Sequence, residues 1–328
     1  MINFCQFGAG RIGSIHAGNI ARHPGARLHL VVDTDRAAAE RLGGLYGAAV
    51  GSTADALADP AVDAVVIASS TDTHAGLVEA AARAGKAIFC EKPLDLDRRR
   101  AEVCAAVAAS CGVKLMVGFN RRFDPSFARL EREIRDGRIG KLEMLTITSR
   151  DPAPPPIAYV KVSGGLFRDM MIHDFDMARW LSGEEPVEIL AAASNLVDPA
   201  IGEAGDVDTA VVTLRMQSGA LCQISNSRRA VYGYDQRIEA LGSNGALRAE
   251  NVVESTVVYS GAEGVVGAKP LNFFLERYSE AYRRELAHFI DAVANGTTPL
   301  TGGVDGVRAL ALADAALEAS RTGRAVKL

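Results

Sequence analysis

This sequence is short of the features that mark several large protein classes. Its longest basic run is Arg98-Arg99-Arg100, and the net charge over 328 residues is −4. A nucleic-acid surface needs a larger positive patch, so these arginines read as a solvated helix face and no nucleic-acid partner is expected. No apolar stretch reaches about 18 residues, so neither a membrane span nor a membrane partner is expected. The sequence opens directly into a strand pattern at Ile2, so no secretory leader is expected. The five cysteines, Cys5, Cys90, Cys104, Cys111 and Cys222, are odd in number, scattered and without CxxC spacing. Neither a disulfide framework nor a metal site is therefore expected. Cys5 and Cys90 sit inside apolar runs and read as small buried hydrophobes. Repeats and low-complexity tracts are also lacking. These absences together point to a reducing, cytoplasmic setting.

What is present begins with Gly8-Ala9-Gly10-Arg11-Ile12-Gly13. An apolar run, Ile2–Phe7, precedes it, and Ile12, Ile15 and Ile20 follow at helical spacing. Strand, tight turn and helix are the context that the G-x-G-x-x-G pattern requires. The first glycine permits the turn, the second admits a pyrophosphate to the backbone, and the third lets helix and strand pack closely. The helix N-terminus presents N–H groups and a positive dipole end to phosphates. Asp33 follows Gly13 at the end of the apolar run Leu28–Val32. A carboxylate there is placed for both hydroxyls of an adenosine ribose and disfavours a 2′-phosphate, which predicts NAD rather than NADP. Arg36, three residues on, could moderate that preference. The plainer alternative is a βαβ turn with an Asp capping the next loop.

The first 120 residues alternate strand and helix signals. Strands are predicted at Ile2–Phe7, Leu28–Val32, Ala64–Ala68, Ala87–Cys90 and Lys114–Val117, with helices at Ile15–Arg22, Arg36–Tyr46, His74–Gly85 and Asp97–Cys111. Asp95 is the expected N-cap of the last. Continuous apolar strands imply a parallel sheet covered on both faces. Beyond Gly118 the character changes. A helix is predicted over Pro125–Asp136, a strand over Leu142–Arg150, a loop over Asp151–Val162 and a single helix over Leu166–Leu181. Strands follow at Glu188–Asn195, Asp208–Met216, Ala220–Ser227, Arg237–Gly242, Ala246–Asn251 and Ser255–Tyr259, with hairpin signals at Gly219 and Asn244-Gly245. Helices Leu275–Asn295 and Asp305–Arg321 close the chain. The expected class is α/β: an N-terminal Rossmann domain over 1–120 and a C-terminal α+β domain over 121–328 with a large, mostly antiparallel sheet.

Three constellations carry chemistry. Glu91-Lys92-Pro93 ends a predicted strand, where ligands of open α/β sheets bind; an ordinary solvated lysine is the alternative. Asp169 and His173, four residues apart among Met170, Met171, Ile172 and Phe175, would share one face of a largely buried helix. An imidazole there could take a hydroxyl proton while the carboxylate orients it; a core histidine satisfied by its neighbour is the alternative. Gly118-Phe119-Asn120-Arg121-Arg122-Phe123-Asp124 sets Asn and Arg donors at the domain junction, suited to a polyhydroxy ligand or to structural hydrogen bonding.

In this order the motifs GAGRIG, Ser69–His74 (SSTDTH), EKP, GFNRRFD and the DxxxH helix resemble the Gfo/Idh/MocA family of NAD(P)-dependent oxidoreductases. Within it, GFNRRFDPSF and YGYDQRIEALGSNG look most like inositol 2-dehydrogenases. The resemblance spans essentially the whole chain. It implies an NAD cofactor contacted by Gly8, Gly10, Arg11, Ile12, Gly13, Asp33, Ser69, Ser70, Thr71, His74, Glu91, Lys92 and Arg121. It implies that Lys92, Asp169 and His173 are catalytic and converge on one carbinol, with Asn120 and Tyr234 as further substrate contacts. It implies a homo-oligomer, dimer or tetramer, built on the open-faced sheet. The function this predicts is oxidation of an inositol ring hydroxyl; a pyranose sugar dehydrogenase, a non-catalytic NAD- or sugar-binding sensor, and a glycosidase using bound NAD are the alternatives. Substrate choice is expected to rest on loops 151–162, 230–236 and 261–273.

Overall fold

The computed structural model describes residues 1–328. The chain forms two compact units: residues 1–123 with 281–310, and residues 124–280 with 311–328. No helix is long and apolar enough to cross a membrane.

The first unit carries six strands: β1 (Ile2–Phe7), β2 (Ala26–Val32), β3 (Ala49–Val50), β4 (Ala64–Ile67), β5 (Ala87–Cys90) and β6 (Leu115–Val117). All neighbours pair in parallel, in the order β3-β2-β1-β4-β5-β6. This is the doubly wound dinucleotide-binding order, whose reversal falls between β1 and β4. β4 and β5 are buried at every residue, as strands covered on both faces must be. Helices occupy Arg11–Arg22, Arg36–Tyr46, Thr71–Arg83 and Arg98–Ser110. Asp97, not Asp95, caps the last, accepting from Arg100 N–H at 3.1 Å, while Asp95 accepts from Asp97 N–H at 2.8 Å. A helix at Thr53–Ala58, unanticipated, starts on a reciprocal cap between Ser52 and Asp55.

The helix Ser279–Asn295 contributes most of its length to this first unit. Its Phe289 packs on Phe4 and Phe89 at centroid distances of 6.1 and 5.8 Å, filling the core beside Leu286 and Ile290. Chain order alone groups these residues with the second domain, but their apolar stripe finds its complement on the first sheet.

The second unit is built on β7 (Leu142–Arg150), β8 (Pro186–Ser194), β9 (Thr209–Met216), β10 (Leu221–Ser227), β11 (Asp235–Gly242) and β12 (Gly245–Ala249). A small hairpin, β13 (Val258–Gly261) and β14 (Gly264–Gly267), stands apart, and β15 (Val326–Lys327) joins β8. The main sheet runs β12-β11-β7-β10-β9-β8-β15 and is antiparallel except at β7–β10. Burial alternates along β9 and β10, so one face is covered. The other face exposes Met144, Leu190, Val211 and Leu241.

Candidate active site

In the first unit the glycine turn joins β1 to the helix Arg11–Arg22. Gly8 has φ +93°, and a Cβ there would lie 2.5 Å from Ala68 O at the end of β4. A Cβ on Gly13 would meet Gly8 O at 2.0 Å. A Cβ on Gly10, by contrast, would have nothing within 4 Å. Two glycines thus close the turn, and the middle one leaves room for a group that must approach the backbone. Gly10 is the helix N-cap without a side-chain cap, and the first turn, opened by Arg11 and Ile12, has no acidic residue. The positive helix end is left for an anion. Asp33 anchors the turn from β2: its Oδ2 accepts from Ala9 N–H at 2.6 Å and its Oδ1 from Asp35 N–H at 2.7 Å. These residues fit a dinucleotide.

Around this turn lie the carboxyl ends of β4 and β5. Ser69 Oγ is 2.7 Å from Thr73 Oγ1, and Ser70 precedes the helix that begins at Thr71. His74 is almost fully buried, with Nδ1 2.8 Å from Pro93 O and Nε2 3.1 Å from Ser69 O. It ties the loop after β4 to the turn after β5. Glu91 opens that second turn, and the Lys92–Pro93 peptide is cis. Glu91 Oε1 is 2.7 Å from Nε2 of the buried His16, whose ring packs on Phe89 and Tyr282. His16 had no signal in the sequence beyond its place in the helix.

Asn120 and Arg121 are buried in the single turn Asn120–Phe123. Arg122 reaches Leu300 O at 3.1 Å and Asp305 Oδ1 at 2.8 Å, a structural role. Asp124, in the second unit, caps the helix Pro125–Arg135 and accepts from Arg277.

The helix bearing Asp169 and His173 differs from the expected one. Two helices, Gly165–Asp169 and Ile172–Ser182, replace it. Leu166 O accepts from both Met170 N–H (3.0 Å) and Met171 N–H (2.9 Å), a widened turn that interrupts the regular ladder. Asp169 therefore ends one helix and His173 lies in the first turn of the next, so they do not share a continuous helix face. The first of the two helices is docked by Asp206, whose carboxylate accepts from Leu166 N–H at 3.0 Å. A Cβ on Gly165 would strike that carboxylate at 2.6 Å.

Asp169 has firm partners. Tyr159 donates its hydroxyl to Oδ1 at 2.8 Å, and Arg228 Nη2 donates to Oδ2 at 3.3 Å. Burial first, and then the Asp169 charge, push the Tyr159 phenol above its ordinary range. Tyr159 belongs to the helix Ile157–Ser163, inside the stretch expected as a loop; the proline run before it masked the helix. Next along, Asp174 is fully buried and accepts from Ser149 Oγ at 2.6 Å and Asn226 Nδ2 at 2.9 Å. Ser149 and Tyr278 also bond Gln236 Oε1, each at 3.1 Å. Tyr234 is buried edge-on to Tyr278 at 5.9 Å. It follows Gly233, whose φ is +129° and where a Cβ would meet Pro270 O at 2.7 Å. The remaining expected loop, 261–273, contains β14. No group of three or more His, Cys, Asp or Glu could hold a metal ion.

The geometry is that of a dinucleotide-dependent oxidoreductase, and the chain's relatives agree. Residues 2–119 match the oxidoreductase family with an NAD-binding Rossmann fold, and 127–248 match the GFO/IDH/MocA C-terminal domain. The chain is 52% identical over 328 residues to an inositol 2-dehydrogenase of Rhizobium meliloti, covering 100% of this chain and 99% of the relative. It is 50% identical to a myo-inositol 2-dehydrogenase of Thermotoga maritima, over 98% of this chain and 97% of that one. The crystal structure of scyllo-inositol dehydrogenase from Lactobacillus casei, with bound NAD(H) and scyllo-inositol, superposes with a TM-score of 0.92 at 30% identity, covering 100% of this chain and 99% of that one. This chain belongs to the GFO/IDH/MocA family of NAD-binding oxidoreductases.

Proposed function

We propose that the chain oxidises a ring hydroxyl of an inositol, myo or scyllo, to the ketone. The observation that carries this is full-length identity of 52% to an inositol 2-dehydrogenase, in a chain whose sequence contains Lys92, Asp169 and His173. NAD, when bound, supplies the hydride acceptor. His173 takes the proton of the substrate hydroxyl. Asp169 orients the imidazole and stabilises its charged form. Lys92 donates a hydrogen bond to the substrate oxygen and stabilises developing alkoxide charge. Gly8, Gly10, Arg11, Ile12, Gly13 and Asp33 hold the pyrophosphate and ribose, with Ser69, Ser70, Thr71, Glu91 and Arg121 near the cofactor, and Asn120 and Tyr234 touch substrate. His74, with both ring nitrogens on backbone carbonyls, acts by fixing the loops around it.

In this reading residues 1–120 bind NAD, and residues 121–328 bind substrate and form the contacts of a cytoplasmic homodimer or homotetramer. The exposed apolar row Met144, Leu190, Val211 and Leu241 on the open sheet face supports the second role.

The test is turnover of inositol isomers and hexose enantiomers, followed by NADH absorbance. His173→Ala and Lys92→Ala should each lower kcat by about 10²- to 10⁴-fold with NAD binding intact. Near-normal kcat in both sinks the assignment. Turnover of a hexose but of no inositol moves the substrate to the pyranose class. Comparable kcat/KM for NAD and NADP counts against the role given to Asp33.

A further inference from the structure

Asp169 is poorly served by its own helix. It is the last residue of Gly165–Asp169, where the negative end of the helix dipole disfavours a carboxylate. Two donors that hold it come from elsewhere, and they differ in kind. Arg228 follows β10, and its side chain is 3% exposed. Its N–H bonds Asp208 O at 2.9 Å, and the Asp208 carboxylate is itself held by the amides of Leu196, Val197 and Asp198. Arg228 is therefore a fixed cation, with Nη1 also 3.6 Å from Asp151 Oδ2. Tyr159 is carried on a surface helix, and its residue is 47% exposed. Its hydroxyl is the donor to Asp169 Oδ1 at 2.8 Å. With the phenol pushed up by burial and by Asp169, that hydroxyl remains a donor at working pH.

We propose that Tyr159 and Arg228 are positioning residues for Asp169, one on each carboxylate oxygen, and that they set how strongly Asp169 holds the His173 imidazolium. This rests on the reading of Asp169 and His173 as catalytic partners. Arg228 fixes Oδ2 from a rigid strand end. Tyr159 fixes Oδ1 from the helix that follows the proline run, so the carboxylate is aligned only when segment 151–163 is seated. Both donors also draw charge from Asp169. Among the charged or titratable groups facing this carboxylate are Tyr159, Arg228 and, through Arg228, Asp151.

The full-length enzyme tests this with NAD and inositol in steady state. Tyr159→Phe should lower kcat about 10-fold, with little change in KM for NAD. It should also move the acid limb of the kcat–pH profile to higher pH, because a less solvated Asp169 holds the imidazolium more tightly. Arg228→Lys should keep more activity than Arg228→Met. In an Asp169→Asn background, Tyr159→Phe should have no further effect on kcat. The proposal is overturned if Asp169→Asn loses activity while Tyr159→Phe keeps the wild-type kcat and pH profile, or if its loss lies in KM alone. Near-normal kcat in Asp169→Asn instead overturns the catalytic reading beneath it. Should Arg228→Met fail to fold, the Tyr159→Phe result decides.

Discussion

His16 Nε2 and Glu91 Oε1 lie 2.7 Å apart, joining the helix that follows the glycine turn to the residue that precedes Lys92. The imidazole is fully buried, between Phe89 and Tyr282. Glu91 is confined on its other side by Gly118, where a Cβ would lie 2.8 Å from Oε2. His16→Phe keeps the aromatic packing but strips the carboxylate of its partner. It should destabilise the protein by about 1–3 kcal/mol, the usual cost of a buried polar group left unmade. Glu91→Gln, which can still bond, should cost less. Denaturant melts check this, and equal losses in the two variants would show that the pair is not the cause.

The three glycines of the turn should separate by phenotype. Gly10→Ala meets open space, so its melting temperature should stay within a few degrees of wild type while NAD binding weakens by about tenfold or more. Gly13→Ala drives a methyl group to 2.0 Å from Gly8 O and should destabilise the fold itself. Thermal melts with and without NAD distinguish them. A wild-type NAD affinity in Gly10→Ala contradicts the account of the turn.

Asp235 should be a source of acid sensitivity. Burial works against its ionised form, but hydrogen bonds from Arg237, Tyr232 and Asn251 prevail and hold the carboxyl below its ordinary 3.8. A carboxyl lowered on folding adds stability that is fully present above the unfolded value and is lost as pH falls through the folded one. Asp235→Asn should therefore lower the melting temperature at pH 7, with the gap from wild type closing below about pH 4. A gap independent of pH argues for packing instead.

Thiol reactivity should single out one cysteine. Burial pushes the thiols of Cys5, Cys90 and Cys222 well up, and that of Cys104 up to about 12. Only Cys111 is exposed. An aromatic disulfide reagent should label one thiol in the native protein and five after unfolding. Rapid labelling of two or more in the native state contradicts the burial of the others.

The parts legible in the sequence are those whose causes are local. β1 and β5 begin and end where their apolar runs do, and the Gly8–Gly13 turn carries its reasons in three residues. The same holds for the hairpins at Gly219 and Asn244-Gly245. What sequence reading missed depends on partners far along the chain. The interruption after Asp169 goes with a carbonyl, Leu166 O, that takes two amides, in a helix docked through Asp206, some forty residues later. The apolar spacing of Leu166–Leu181 is compatible with one helix or two, so periodicity could not separate them. Residues 281–310 carry an apolar stripe that any sheet could cover, and only packing against Phe4 and Phe89 assigns them to the first unit. Tyr159 and Arg228 lie 10 and 59 residues from Asp169. Sequence determined which residue types are available for the proposed chemistry and where the glycine turn lies. Tertiary structure decided what holds Asp169, because a carboxylate's hydrogen-bond donors are chosen by proximity in space, which chain spacing does not encode.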